Sequence, residues 1–169
     1  MRPFRADDLG PLLSVMTTGE VRASLHVPDD FGPVQAWAQL TSFAGLWELK
    51  GLGQWALEER GTGRFVGRAG LYWRLEPEWP GVEVGWTLDP ATWGHGYATE
   101  AGARAVRFGF EALGEDTLYS TILPENTRSA AVATRLGFSP WEERVLPHFP
   151  SQAHTIWRLP RDAWELSAG

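Results

Sequence analysis

The stretch most able to do chemistry is a loop bounded by glycines. Residues 82–88 read as a strand that runs into Asp89-Pro90, then a loop containing Gly94-His95-Gly96, then a long helical segment starting at Tyr97. A helix N-terminus leaves backbone N–H groups unpaired and carries about half a positive charge. Two glycines at that point let an anion, typically a phosphate, approach those amides with no Cβ in the way. Several phosphate loops share this outline. A Walker loop needs a lysine after its glycine, and the only lysine in the chain is Lys50, so triphosphate chemistry of that kind is excluded. The dinucleotide fingerprint wants a third glycine two residues beyond Tyr97, where Thr99 stands. A plain turn ahead of a helix remains an alternative. With no cysteine in the chain there is no thiolate metal site and no cysteine nucleophile. His26, His148 and His154 are scattered without ligand spacing and read as ordinary surface or pocket residues, so no metal is expected.

The elements around that loop set its context. The 169 residues fit one domain. A content of 43% hydrophobic and 21% charged residues is that of a globular chain and excludes long disorder and coiled coil. The net charge of −6 argues against a broad grip on nucleic acid or an anionic membrane and favours a cationic substrate. No apolar run approaches the roughly 18 residues of a membrane span, and the N-terminus lacks a signal-peptide core. The chain therefore reads as a soluble, cytoplasmic domain.

Along the chain, residues 2–5 are a candidate first strand, and Asp7-Asp8 open a helix that Gly19 ends. Val34, Trp37, Ala38 and Phe43 suggest a second helix. Residues 54–59, 65–73 and 82–88 read as three strands of an antiparallel meander. Residues 97–113 read as helical, with apolar positions 98, 101, 105, 108 and 112 on one face. Residues 117–123 form a strand, 129–136 a short helix stopped by Gly137, and 155–159 a late strand. The order strand, helix, strand across 82–123 implies a parallel pair joined by a crossover helix.

Two motifs carry a family resemblance. Glu83-Val-Gly-Trp, Leu88-Asp-Pro and Trp93-Gly-His-Gly-Tyr-Ala-Thr-Glu-Ala, followed by Asn126-Thr-Arg-Ser-Ala-Ala-Val-Ala-Thr-Arg-Leu-Gly-Phe, resemble the GCN5-related N-acetyltransferases. Within that superfamily they look like the ribosomal-protein N-terminal acetyltransferase branch, as does the opening Arg2-Pro-Phe-Arg-Ala-Asp-Asp-Leu. The resemblance spans residues 2–160. It implies one acetyltransferase domain over 1–169, of the α/β (α+β) kind: a mixed, mostly antiparallel sheet of about six to seven strands with a splayed parallel pair, flanked by about four helices. It also implies acetyl-coenzyme A as co-substrate and a primary amine as acceptor, with a protein N-terminus among the candidates and a homodimer left open. The family's phosphate motif is Arg/Gln-x-x-Gly-x-Gly/Ala, and here its first position is Ala91. Side-chain help for the phosphates is lost there, while the backbone amides from Trp93 through Gly94, His95, Gly96 and Tyr97 to Ala98 remain.

In the family, acetyl transfer proceeds by direct attack in a ternary complex, with pantetheine lying where the parallel strands splay. That places a bulge at Gly85, or else a glycine making room for an aromatic ring. Backbone N–H groups of Trp86, Thr87 and Leu88 then serve the thioester. Glu83 is the candidate base, acting through water, and shares a face with Gly85 and Thr87; the other reading is a carboxylate on a solvated face. Many relatives carry a tyrosine acid at the position of Ala133. Here Ser129, one turn away, is the candidate to meet the departing sulfur, and Asn126 to hold the pantetheine arm. Asn126 as a plain helix cap is the structural alternative. His95 faces the phosphates. Trp37 and Trp73, with Trp47 and Trp79, border the acceptor side as candidates for an aromatic pocket, though most of the ten tryptophans belong to the core. Reference pKa values near 8 for an α-amine and 10.4 for lysine make deprotonation at pH 7 cost roughly 3.4 kcal/mol more for lysine, which favours N-termini or low-pKa small amines. A coenzyme-binding regulatory module without turnover is the competing reading, suggested by Ala91 and Ala133.

Overall fold

The computed structural model describes residues 1–75, 78–147 and 152–168; His148 lies outside them. Six strands form one sheet in the order β1-β2-β3-β4-β6-β5. These are β1 (Gln54–Glu58), β2 (Phe65–Tyr72), β3 (Val82–Leu88), β4 (Thr117–Ile122), β5 (Ser139–Val145) and β6 (Ala153–Pro160). Four of the five strand contacts are antiparallel; the exception is the β3–β4 contact, whose parallel register covers only Val82↔Leu118 and Glu83↔Tyr119 before the strands part. The sheet is thus the mixed one that the resemblance implies, with its parallel pair open towards the C-terminal end of β3.

Helices cover both faces. On one side α1 (Leu9–Met16), α2 (Gly19–Leu25) and α3 (Pro33–Lys50) enclose Leu12, Val15, Met16, Val21 and Leu40. On the other, α4 (Tyr97–Arg107) and α5 (Thr127–Arg135) bury Ala105, Val106, Ala133 and Leu136 against Val82, Val84, Leu118 and Leu159. Each such Leu or Val contributes about 1.5–3 kcal/mol by leaving water. The period of the strand decides its two faces. Val82, Val84 and Leu88 enter this core, while Glu83, Gly85 and Thr87 turn to the opposite side. A sixth helix, α6 (Arg161–Ala168), packs Trp164 on Phe110. Among the described residues no helix is long and apolar enough to cross a membrane.

Several expectations change. Residues 2–5 are not a strand: only Arg2 bridges Ala56, because Pro3 has no N–H and the Arg2 side chain turns to Asp8 and Glu58. Gly19 does not end the first helix but begins α2, after Thr18 adopts an extended conformation. The helix expected over 97–113 is α-helical to Arg107 and continues as a π turn over Phe108–Ala112. The sheet's register through Gly85 is continuous with β2, so there is no bulge; β4 simply diverges from β3. A Cβ at Gly85 would sit 3.8 Å from the Tyr72 ring, in ordinary contact. The glycine therefore leaves open floor beside an aromatic ring.

Candidate active site

The loop between β3 and α4 is built from its own side chains. Asp89 Oδ1 accepts from the Ala91 N–H (3.0 Å), and its carbonyl accepts from the Thr92 N–H (2.8 Å). The Trp93 indole donates to the Leu88 carbonyl (3.0 Å), and the Trp93 backbone N–H donates to Pro90 (3.1 Å). Trp93 is thereby removed from the set of free amides. Gly94 and Gly96 take φ of +82° and +83°, conformations that strain any residue with a Cβ, and a Cβ at either would project into open space. The first helical bond of α4 runs from the Glu100 N–H to the Gly96 carbonyl, so the amides of Tyr97, Ala98 and Thr99 precede it as unpaired donors.

These donors face a groove of about 1140 Å³ that runs between the loop and α5. Trp86, Thr87, Leu88, Trp93, Gly94, Gly96, Tyr97, Ala98, Asn126 and Ser129, all expected at the site from the sequence, line it. His95 does not: its Nδ1–H donates towards the Thr92 and Trp93 carbonyls (3.2 and 3.1 Å), and its ring stacks on Tyr97. Tyr97 in turn donates to Glu59 Oε1 (2.7 Å). Two arginines absent from the sequence expectations, Arg128 and Arg135, also line the groove, and Arg128 lies 4.5 Å over the Trp93 ring. They stand seven residues apart on α5, two turns along one face, which is the signal that would have found them.

A second cavity of about 520 Å³ opens on the Glu83 face of the sheet. The two cavities share Ser24, Leu25, Trp86, Thr87, Asn126 and Ser129, so they meet where β3 and β4 separate. Asn126 is a helix cap: its Oδ1 accepts from the Ser129 N–H (3.1 Å), while its Nδ2 donates to the Ser24 carbonyl (3.3 Å), tying α5 to the end of α2. Ser129 sits just inside that cap. Ala133 is fully buried in the core, so only a methyl group stands there.

In the second cavity Glu83 is not on a solvated face. It is 7% exposed, and Arg74 Nε donates to its Oε2. Arg74 also stacks over Trp79. Across the ladder, Arg68 pairs with Thr87 and Tyr72 with Glu83, which brings Arg68 and Tyr72 onto the same face. Strand alternation from Glu83 through its cross-strand partners is the signal that locates them. Arg68 is also 7% exposed. Its Nη1 donates to Gln54 Oε1 (3.2 Å) and to the Tyr72 hydroxyl (3.1 Å), and its guanidinium lies over the Phe43 and Tyr72 rings. Its Nε is buried with no partner, and among the described residues no carboxylate pairs with it. Ring contacts of this kind contribute about 1 kcal/mol, whereas burying an ion costs several.

Burial pushes the Tyr72 phenol up; Glu83 adds to the rise while Arg68 and Arg74 oppose it, so Tyr72 keeps its proton at neutral pH. Burial likewise holds His154, on the cavity wall, below the ordinary histidine value. Among the described residues the cavity is thus lined by two guanidinium groups and one carboxylate, against an overall charge of −6. Trp37 and Trp73 line neither cavity; Trp37 stands half exposed on α3, and Lys50 covers the Trp73 ring at 4.5 Å.

A family profile described as acetyltransferase (GNAT) domain matches residues 1–139. The chain belongs to the GNAT acetyltransferase family. It is similar to the uncharacterized N-acetyltransferase YoaA of Bacillus subtilis (strain 168), 29% identical over 155 residues that cover 92% of this chain and 86% of YoaA. Among solved structures it resembles an acetyltransferase from Agrobacterium tumefaciens strain C58, with a TM-score of 0.79 and 28% identity over 95% of this chain and 89% of that one. It shares its fold with aminoglycoside acetyltransferase AAC(6')-Ib in complex with coenzyme A and kanamycin, with a TM-score of 0.78 and 16% identity over 99% and 98% of the two chains. A GNAT protein of this kind is an acetyl-coenzyme A-dependent acyltransferase. The open glycine cradle, the unpaired amides and the two arginines of α5 suit a diphosphate.

Proposed function

We propose that the protein moves the acetyl group of acetyl-coenzyme A to a primary amine, an N-terminal α-amine or that of a small molecule, by direct attack in a ternary complex. The observation that carries this reading is the junction of the two cavities beside Trp86, Thr87 and Ser129. An acyl donor laid along the groove with its diphosphate at residues 94–99 would bring a thioester to that junction, and an amine in the second cavity would meet it there. The fold neighbour crystallised with coenzyme A and kanamycin holds two ligands at once, which supports this reading.

In this mechanism the amine nitrogen forms a bond to the thioester carbonyl carbon while the carbon–sulfur bond breaks. Backbone N–H groups after Gly85, where β4 no longer pairs with β3, are available to the carbonyl oxygen. Glu83 takes the amine proton through water, with Arg74 fixing the carboxylate. The Ser129 hydroxyl donates a hydrogen bond to the departing thiolate, whose proton comes from solvent. Arg128 and Arg135 take the place left by Ala91 in holding the phosphates.

Calorimetry with acetyl-coenzyme A, joined to a free-thiol assay on a panel of amines read by mass spectrometry, tests the reading. Expected are coenzyme binding and acceptor-dependent thiol release with an acetylated amine. Binding without release would leave only a coenzyme-binding module and overturn the proposal.

A further inference from the structure

We infer that the acceptor carries a carboxylate as well as its amine, and that Arg68 and Tyr72 hold it, so the substrate is a small amino acid-like molecule. The inference rests on the acyl-transfer reading and names the acceptor class for the same site. Arg68 lines the second cavity, is more than nine-tenths buried, and finds only neutral partners. Glu83 is engaged by Arg74, and among the described residues no carboxylate pairs with Arg68.

The surrounding groups are donors. The Tyr72 oxygen already accepts from Arg68, so its proton is free to point elsewhere, and burial keeps that proton on. Gln54 gives its oxygen to Arg68 and keeps a buried Nε2 without an acceptor beside Gly85. A guanidinium fork and a phenol on the cavity wall, backed by a buried amide N–H beside Gly85, make a carboxylate site. One guanidinium with only neutral partners matches a monoanion better than a phosphate dianion. In the ladder Tyr72 lies directly across from Glu83, about 5 Å away from strand to strand. That register sets the partners for an amine and for a carboxylate side by side on one face. The cavity of about 520 Å³ is also of small-molecule size.

The experiment compares free amino acids with their carboxamides and with phosphoethanolamine as acceptors for the wild-type chain. In parallel, calorimetry in the presence of coenzyme A compares N-acetyl amino acids with their amides, an assay that needs no turnover. Expected is a preference for the acid of about 30-fold in kcat/KM, carried mostly by KM and equal to about 2 kcal/mol at 1.4 kcal/mol per tenfold, with the same preference in binding. Arg68→Gln should collapse the ratio of acid to amide towards one, Arg68→Lys should restore part of it, and Tyr72→Phe should lower it several-fold. Coenzyme affinity and melting temperature establish that each variant is folded. Equal handling of acid and amide by the wild type, a preference for the phosphate, or a ratio unchanged in Arg68→Gln would overturn the inference. Acid-selective binding with no thiol release for any amine would support the carboxylate site while defeating the acyl-transfer reading. The absence of both would defeat the inference in its own right.

Discussion

Glu83 has two neighbours to serve: it faces the second cavity, and it anchors Arg74. Glu83→Gln separates them, because glutamine still offers an oxygen to Arg74 but takes up no proton. If Glu83 relays the amine proton, kcat should fall by about 10²–10⁴ with coenzyme affinity retained; near-full turnover would reduce it to an anchor. Gly96 tests the other end of the site. Its φ of +83° costs a residue with a Cβ about 1–2 kcal/mol, more for a branched one, and the added atoms would enter the space above the free amides. Gly96→Val should weaken acetyl-coenzyme A by more than about tenfold in a titration, which at 1.4 kcal/mol per decade is comparable to that strain. Unchanged affinity in a folded variant would remove the loop from donor binding. The residues of this loop were legible in the sequence because backbone conformation forces their type: glycine marks positive φ. Tryptophan carries no such constraint, and Trp37 and Trp73 lie away from both cavities.

At the scale of elements, α5 and the parting of β3 from β4 define the groove. Arg128 and Arg135 present two cations along it, across the groove from the loop whose motif begins with Ala91. Arg128→Ala should lower acetyl-coenzyme A affinity by about tenfold, the effect of one charge-assisted contact. The double variant should lose most of the salt dependence that the wild type shows between low and physiological ionic strength. If affinity and salt response both stay put, the backbone alone holds the phosphates. β4, β6 and α4 were readable from periodicity because each buries one regular face, and β2 and β3, buried on both faces, from apolar runs bounded by turn residues. β5 was not: it is an edge strand whose side chains are largely exposed, and Ser139, Pro140, Glu142, Glu143 and Arg144 show no apolar alternation. Gly19 misled because a glycine after an apolar run reads as a helix stop, whereas here it opens α2 behind the extended Thr18. The splay itself had no local signature, since Val82 to Leu88 is regular and the divergence lies in where β4 goes.

Over the whole molecule, two buried titratable groups should make the fold lose stability in acid in two steps. Burial holds His154 below its ordinary value, against a backbone hydrogen bond at Gln152 and the pull of Glu83, with His26 and Arg74 adding to the depression. The unfolded chain therefore binds this proton first, and stability falls as pH drops from about 6.5 towards the lower folded value. Asp8 belongs to the second step. Burial would raise it, but bidentate bonds from Arg2 (2.7 Å each) and the Arg5 N–H (2.7 Å) outweigh that and leave it below the usual carboxylate value. Its contribution is present above about pH 3.9 and is lost as pH falls through the folded value. Glu59 and Glu125 titrate in the same window, also lowered, so the wild-type curve alone cannot isolate Asp8. Two variants can. Asp8→Asn should cost about 2 kcal/mol at pH 7, as expected for a hydrogen-bonded charge, with the gap to wild type closing below about pH 4. His154→Gln should flatten the melting temperature between about pH 7 and 5 and leave the lower limb intact. A melting series over pH 3–8 reads both: an Asp8→Asn deficit that persists at pH 3 would mean lost packing rather than lost charge, and a His154→Gln curve parallel to wild type would place the first step on another group.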